Sequence, residues 1–306
     1  MLGIMRYGSP PVTVPSGDWP VVSVALPTLG EEQRIEVWRS STPVTTDREG
    51  GIDYASNGQV LFGVCKQQET EDILLDALVQ ESYIAIIQLL RQAGYPQLLR
   101  TWNYFPRISK EQDGLERYRR FCRGRYEAFA RFDPMFEHSL PAATVIGTKH
   151  PGVVIGFLAA QQAGMPVENP RQVSAYHYPP QYSPRSPSFS RAMLKDWDGR
   201  SHLYVSGTAS IIGHETRHAG DVQAQLDEIF RNLEALLTQA ADTARTPFQA
   251  EDAEMFLKVY IRHHEDFVPV RERLRQQLGA HPSVLYLQGE LCRSDLLVEI
   301  EAVYTR

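Results

Sequence analysis

Cysteine is scarce in this chain: Cys65, Cys122 and Cys292 are odd in number and far apart. That argues against a disulfide scaffold and against a zinc site built from cysteine pairs. A surplus of positive charge is also missing, with 31 basic against 37 acidic residues and a net charge of −6. Binding to nucleic acid draws on neutralised phosphates, so that partner is not expected. No apolar run approaches the ~18–20 residues that a membrane-spanning helix needs, so no membrane partner is expected either. The first eleven residues carry neither an apolar core nor a small-residue cleavage site. No secretory leader is therefore expected, and the cytoplasm is the expected compartment. What remains is 306 residues, 42% apolar and 22% charged, enough for one large domain or two ordinary ones.

The chain repeats its order of parts. Strand candidates Val21–Leu26 and Ile35–Trp38 stand in a first stretch rich in turn-forming residues. A helix is predicted from about Ile73 to Ala93, with Leu75, Leu78, Tyr83, Ile86 and Leu90 at helical spacing and Gly94 and Pro96 ending it. A second helix carries Leu115, Tyr118, Cys122, Arg125 and Phe129, and strands follow at Ala143–Gly147 and Val153–Ala160. The second half has a strand at His202–Ser206, a helix over Val222–Ala240, and another helix on Met255/Phe256, Val259/Tyr260, His263 and Phe267. Strands Ser283–Leu287 and Leu296–Val303 close it. Because the offset between corresponding residues barely drifts (Gly63 to Gly207, Ala159 to Ala302), the pattern predicts a duplicated unit of about 100 residues. The expected fold is α+β, two mixed sheets each with helices on one face. The expected division is 1–164, a connection over 165–200, and 201–306.

That connection contains Arg171, Tyr176, Tyr178, Tyr182, Arg185 and Arg191 among many prolines and serines. It reads equally as an exposed linker or as a lid over an anionic, ring-shaped ligand. A literal HExxH, His214 to His218, would place two zinc-binding imidazoles on one helical face in a metallopeptidase. Here Gly213 and Gly220 bracket the motif and the apolar helical face starts only at Val222, so a polar strand-to-helix connection without metal is expected.

The C-terminal stretch Cys292–Ala302 is more informative. In a strand, Leu297, Glu299 and Glu301 share one face while Val298, Ile300 and Ala302 face the core. If the first face lines a cleft, Glu299 becomes a desolvated carboxyl suited to proton donation at neutral pH; if it faces water, this is an ordinary half-buried strand. The first copy has Gly156 at the equivalent place, so an acid stands in one copy only. Arg125 falls in register with Tyr118, Cys122 and Phe129 on an apolar helical stripe. A guanidinium there needs an internal partner, a snorkelling path or a ligand carboxylate.

The segment His202–Gly207, the helix Val222–Ala240 and the closing Leu296–Ala302 resemble the reactive-intermediate deaminase (YjgF-type) fold, which residues 201–306 cover almost completely and 59–163 cover as a degenerate copy. The chain departs from the deaminases before Cys292, where Val284 and Leu285 stand in place of a carboxylate-binding Arg. The two-copy arrangement, Trp102–Pro106, Arg117–Arg125, Ser206–Ser210, Gly213-His214 and the Cys292–Glu301 ending resemble the chorismatase family over roughly residues 35–306. That resemblance implies an enzyme that removes pyruvate from chorismate, a small-molecule substrate, with no metal or organic cofactor. The product would be 3- or 4-hydroxybenzoate or, by hydrolysis, a dihydroxycyclohexadiene carboxylate. It implies Glu299 as the catalytic acid. The substrate's two carboxylates call for cationic anchors, with Arg125, Arg171 and Arg185 as candidates. Tyr118, Tyr176 and Tyr178 would orient the ring, and Thr208, Ala209 and Cys292 would shape the floor. The fold's usual assembly makes a monomer or a homotrimer the expected state. A non-catalytic binder of small carboxylates and, more remotely, a zinc peptidase are the rival classes.

Overall fold

The computed structural model describes residues 1–306 apart from 9–11, 15, 31–34, 150, 198, 244–252 and 280–281. Three short strands come first, β1 (Gly3–Arg6), β2 (Val21–Ser23) and β3 (Ile35–Trp38), joined in the order β2-β1-β3. The first repeat follows with β4 (Thr45–Glu49), β5 (Ile52–Ser56), β6 (Val60–Gln67), helix α1 (Leu75–Gln92) and β7 (Gln97–Pro106). A small hairpin, β8 (Glu111–Gln112) and β9 (Leu115–Glu116), leads into α2 (Arg117–Phe132), β10 (Ala142–Thr148) and β11 (Val153–Ala160). The second repeat has β12 (Met165–Val167), β13 (Ala192–Trp197), β14 (Arg200–Ala209) and the hairpin β15 (Ile211–Ile212) and β16 (Glu215–Thr216). It continues with α3 (Val222–Thr243), β17 (Glu254–Ile261), α4 (Phe267–Leu278), β18 (Ser283–Gln288) and β19 (Val298–Thr305).

The two six-stranded sheets match strand for strand: β4-β5-β6-β11-β7-β10 and β12-β13-β14-β19-β17-β18. In each, only the last pair is parallel, β7 with β10 and β17 with β18. This is the duplicated α+β architecture that the offsets predict. Two expectations need correction. The helix expected over Met255–Phe267 is the strand β17, and the helix α4 comes after it. A strand, β7, also lies between the two helices of the first half. Both strands are central and buried on two faces, so neither shows the period-two alternation that reveals a half-buried strand. The segment 165–200 is more than a connection, since it contributes β12 and β13 to the second sheet.

Burial on two faces follows from the layering. Helices α1 and α2 cover one face of the first sheet over Leu61, Phe105, Ile155 and Phe157. Helices α3 and α4 cover the second sheet over Leu203, Leu257, Val259 and Ile300. The two helix-free faces meet in a third core that joins Phe62, Trp102, Tyr104 and Leu158 to Tyr204, Tyr260 and Leu287. Strands β1 and β2 close one side of this core with Met5, Tyr7 and Val22. Edge strand β10 is tied to the second repeat by the Ala143 N–H, which donates to Ser206 Oγ at 2.8 Å. None of the described helices is long and apolar enough to cross a membrane.

Candidate active site

The polar residues of the site stand on strands whose backbones are fixed by pairing on both sides. On β19, Glu299 pairs with Ala209 of β14 and Tyr260 of β17, while Glu301 pairs with Lys258. The β14–β19 register breaks between Val205 and Thr208, where Ser206 and Gly207 together oppose Glu301. This is a β-bulge, and the corresponding β6–β11 ladder of the first repeat runs without one. Gly207 at the bulge lies against the Glu299 carboxyl so closely that a Cβ there would sit 2.8 Å from its Cδ. In the first repeat, Gly156 takes the place assigned to Glu299, and Val22 of the N-terminal sheet fills the space in front of it.

The two glutamates share a face but not an environment. Glu301 is surrounded by donors. Its Oε2 accepts from Arg100 at 2.9 Å and from the Tyr260 hydroxyl at 3.2 Å, and its Oε1 accepts from the Trp102 indole N–H at 2.9 Å. Lys258 Nζ lies 2.6 Å from Oε1 and also pairs with Glu36 at 2.8 Å. Despite burial, Lys258 and Arg100 hold the Glu301 carboxyl below the usual range. Glu299 is equally buried, at 4% exposure, but makes no hydrogen bond among the described residues. Burial first, and the Glu301 charge second, push its carboxyl up to about 8 against the weaker pull of Arg100 and Arg262. Glu299 is therefore mostly protonated at neutral pH, while Glu301 is an anion.

Glu299 faces a cavity at the seam of the two repeats. Its walls include Ala143, Thr144 and Val145 of β10, Tyr118 of α2, and Gly207 and Ala209 of β14. Tyr178, Tyr182, Phe189 and Arg191 from the 165–200 segment, with Cys292 and Arg293, close it. Arg191 is buried and donates from Nη2 to Val173 O and to the Tyr178 hydroxyl, both at 2.8 Å. Its Nε has no hydrogen-bond partner among the described residues. The Arg293 guanidinium stacks 4.3 Å over the Tyr182 ring and donates to His214 O at 2.9 Å. Neither arginine forms an ion pair within 4 Å among the described residues, although the half-buried Glu168 carboxylate lies near enough to Arg191 to feel its charge. Arg262 donates to the carbonyls of Leu296 and Arg293, each at 2.7 Å, and so shapes the loop that carries Cys292. Burial and the Glu299 charge push the Cys292 thiol up to about 12, so it is a neutral S–H rather than a thiolate.

Of the residues read from the sequence, Glu299, Cys292, Ala209, Tyr118 and Tyr178 line this cavity. Thr208 adjoins it, but its hydroxyl turns back to Ser206 O at 2.9 Å. Arg171 lies elsewhere, paired with Glu228 and Asn232 of α3. Arg185 is exposed and lies over the Tyr126 ring, and Tyr176 packs against the helix-side core of the first repeat. Arg125 is buried behind Tyr118 on the helix side of the first sheet, between the rings of Tyr83 and Phe129, with Nη2 donating to Thr101 at 3.1 Å. Arg191 and Arg293 line the cavity and Arg171 and Arg185 do not, while Arg125, outside the lining, is buried with its own Nε unpartnered among the described residues. Arg191 was counted in its segment and Arg293 stands beside Cys292, but no spacing distinguishes an arginine aimed inward from one paired on the surface. The HExxH motif forms the β15–β16 hairpin and the turn after it, with Gly213 and His218 at positive φ. Its imidazoles diverge: His214 Nδ1 lies 3.0 Å from the Tyr182 hydroxyl, and His218 Nε2 lies 3.5 Å from Glu228. Helix α3 starts after it, where Asp221 Oδ1 accepts from the Ala224 N–H.

An enclosed carboxyl pushed up toward keeping its proton, facing two guanidiniums between aromatic walls, can hold an anionic ring and offer it a proton. The protein class is a duplicated α+β chain with one such site at its seam. Comparison with known proteins gives the family. A family profile described as chorismatase FkbO/Hyg5-like, N-terminal, matches residues 36–159. A 3-hydroxybenzoate synthase of Streptomyces hygroscopicus is 36% identical over 313 residues, covering 99% of this chain and 91% of that protein. A chorismatase of Streptomyces rapamycinicus is 37% identical over 314 residues, covering 99% and 92%. A chorismatase crystal structure superposes with a TM-score of 0.90 at 35% identity over 99% of this chain and 92% of that one. The chain belongs to the chorismatase family.

Proposed function

We propose that this chain removes pyruvate from chorismate and releases a hydroxybenzoate, with Glu299 as general acid. One observation carries the reading: a buried glutamic acid without a hydrogen-bond partner among the described residues faces a cavity lined also by the guanidinium-bearing Arg191 and Arg293. Chorismate has two carboxylates and an enolpyruvyl ether. Arg191 and Arg293 are the anchors for the carboxylates, through charge-assisted hydrogen bonds. Glu299 gives its proton to the methylene carbon of the enolpyruvyl group, which becomes a methyl, and the C–O bond to the ring then breaks as pyruvate leaves. In the aromatising branch the neighbouring hydroxyl of the ring attacks as pyruvate departs, and a ring proton lost on rearomatisation returns to the Glu299 carboxylate. The balance is closed: chorismate gives hydroxybenzoate and pyruvate, with no water consumed and no oxidant or cofactor required. Tyr118, Tyr178 and the neutral thiol of Cys292 line the ring's space and leave little room for water, which favours that branch over hydrolysis. We keep the division into 1–164, 165–200 and 201–306 as a functional one: the first unit backs the site, the middle segment walls it, and the last carries the acid. Incubation with chorismate, a coupled pyruvate assay and product chromatography test the reading. Stoichiometric pyruvate and hydroxybenzoate are expected; a dihydroxycyclohexadiene product would move the chain to the hydrolytic branch, and absence of pyruvate would refute the proposal.

A further inference from the structure

Glu301 takes no part in the chemistry above, yet it is the most heavily bonded carboxylate in the space between the sheets. Among the described residues, its donors Arg100 and Trp102 come from β7 of the first repeat, with Thr144 of β10 beside them, and Lys258 and Tyr260 come from β17 of the second. Both glutamates point to one face of β19, and the donors converge on only one of them. Two neighbouring carboxyls in a dry space cannot both ionise cheaply, so the one with the donors takes the charge and the other keeps the proton. We propose that Glu301 is a positioning residue for the reaction: its carboxylate, pinned between the two sheets by Arg100, Trp102, Lys258 and Tyr260, keeps the proton on Glu299. The inference rests on Glu299 being the acid. It gives the first repeat, which has Gly156 at the place of the acid, a part in catalysis: docking of its sheet supplies donors that fix the protonation state of the other copy.

The charged and titratable surroundings of Glu299 set the expected signs. Glu301 is on its own strand, Arg262 follows β17, and Arg100 reaches across from β7. Cys292 and Arg293 precede β19, and Tyr118, Tyr178 and Arg191 face it across the cavity. Among these, Glu301 is the anion that holds the proton on, while Arg100 and Arg262 oppose it. The pH profile of kcat/KM for pyruvate release reads the balance, because activity falls as pH rises through the Glu299 titration. Glu301→Gln removes the anion, so the descending limb moves to lower pH. A downward move of about one pH unit, typical of losing a neighbouring charge, leaves about a fifth of the wild-type rate at pH 8. Arg100→Gln removes the cation that opposes protonation of Glu299, while Lys258 still holds the charge on Glu301, so the limb moves to higher pH. A merely structural role would lower the rate at every pH and leave both limbs in place, or move both the same way; either result overturns the proposal. Carbon-13 NMR of glutamate carboxyl carbons in the wild-type protein gives the same answer without a folding risk. One resonance, lost in Glu299→Gln, titrates near 8 and another, lost in Glu301→Gln or assigned by exclusion, stays ionised through neutral pH. Titration of the Glu299 resonance in the ordinary carboxyl range would overturn the inference. Full turnover by Glu299→Gln would instead refute the acid assignment and leave the charge balance to be read by NMR alone.

Discussion

A single methyl group at Gly207 should separate the geometry of the acid from the stability of the fold. Gly207 does not sit at positive φ, so alanine is compatible with its backbone and the effect comes from the new Cβ. That atom would lie 2.8 Å from Cδ and 3.4 Å from Cγ of Glu299, whereas carbon atoms rest about 3.5–4.0 Å apart. The carboxyl must therefore retreat by about 1 Å, either along β19 or into the cavity. A reacting group misplaced by about 1 Å loses on the order of 10²-fold in rate, while overpacking one methyl costs about 1–3 kcal/mol. Gly207→Ala should then remain folded, with a modestly lowered Tm, and lose most of its kcat for pyruvate release. The comparison is Gly156→Ala at the corresponding place of the first repeat, where the Cβ meets Val22 at 3.0 Å and Trp102 at 3.5 Å but no acid. It should lose stability on the same scale and keep near-normal kcat. If Gly207→Ala turns over chorismate like the wild type, or if the two variants are equally impaired, the bulge does not position Glu299.

The arginines should separate by assay. Arg191→Met and Arg293→Met each remove a charged donor worth about 1.5–3 kcal/mol and should raise KM by about 10- to 100-fold, whereas Arg171→Met should lower Tm without changing KM because that guanidinium is spent on Glu228. Glu299 also carries a stability signature with a definite sign: from its ordinary value near 4.5 up to about 8, the folded chain holds a proton that the unfolded chain has shed, so this group's contribution falls as pH rises through that window. Glu299→Gln should therefore gain in Tm relative to the wild type as pH rises, and a difference that stays flat between pH 5 and 9 would contradict the assigned environment. Activity should survive prolonged chelation, because His214 and His218 are turned to different partners; loss of turnover restored by zinc would reverse that reading.

How much the sequence disclosed depended on where each residue's partners lie. The duplication is legible because both copies keep the strand, glycine and helix signals at a nearly constant offset; between Glu299 and Glu301, whose equivalents Gly156 and Leu158 both lack an acid, only the family resemblance chooses. Strands β7 and β17 were not legible, since a strand covered by a helix layer on one side and a second sheet on the other is apolar on both faces and imitates a buried helix. The roles of Glu301, Arg100 and Lys258 were also hidden. Arg100 meets Glu301 across the two sheets, 201 residues away in the chain, and Lys258 joins it from the neighbouring strand only because β17 pairs with β19. For Arg125 the sequence leaves an internal partner, a snorkelling path and a ligand carboxylate open, and its neighbours are Thr101 and two aromatic rings. The choice among Arg171, Arg185, Arg191 and Arg293 rests on which α3 and loop residues happen to face each one, and no local pattern records that.

The central claim is that a glutamic acid already protonated at neutral pH supplies the proton that releases pyruvate. Single-turnover pyruvate release by Glu299→Gln, with binding of chorismate followed separately by fluorescence, tests it most directly. Intact binding and a rate reduced by at least ~10²-fold, the lower range for a positioned general acid, are expected. A variant that binds chorismate and releases pyruvate at close to the wild-type rate would contradict it.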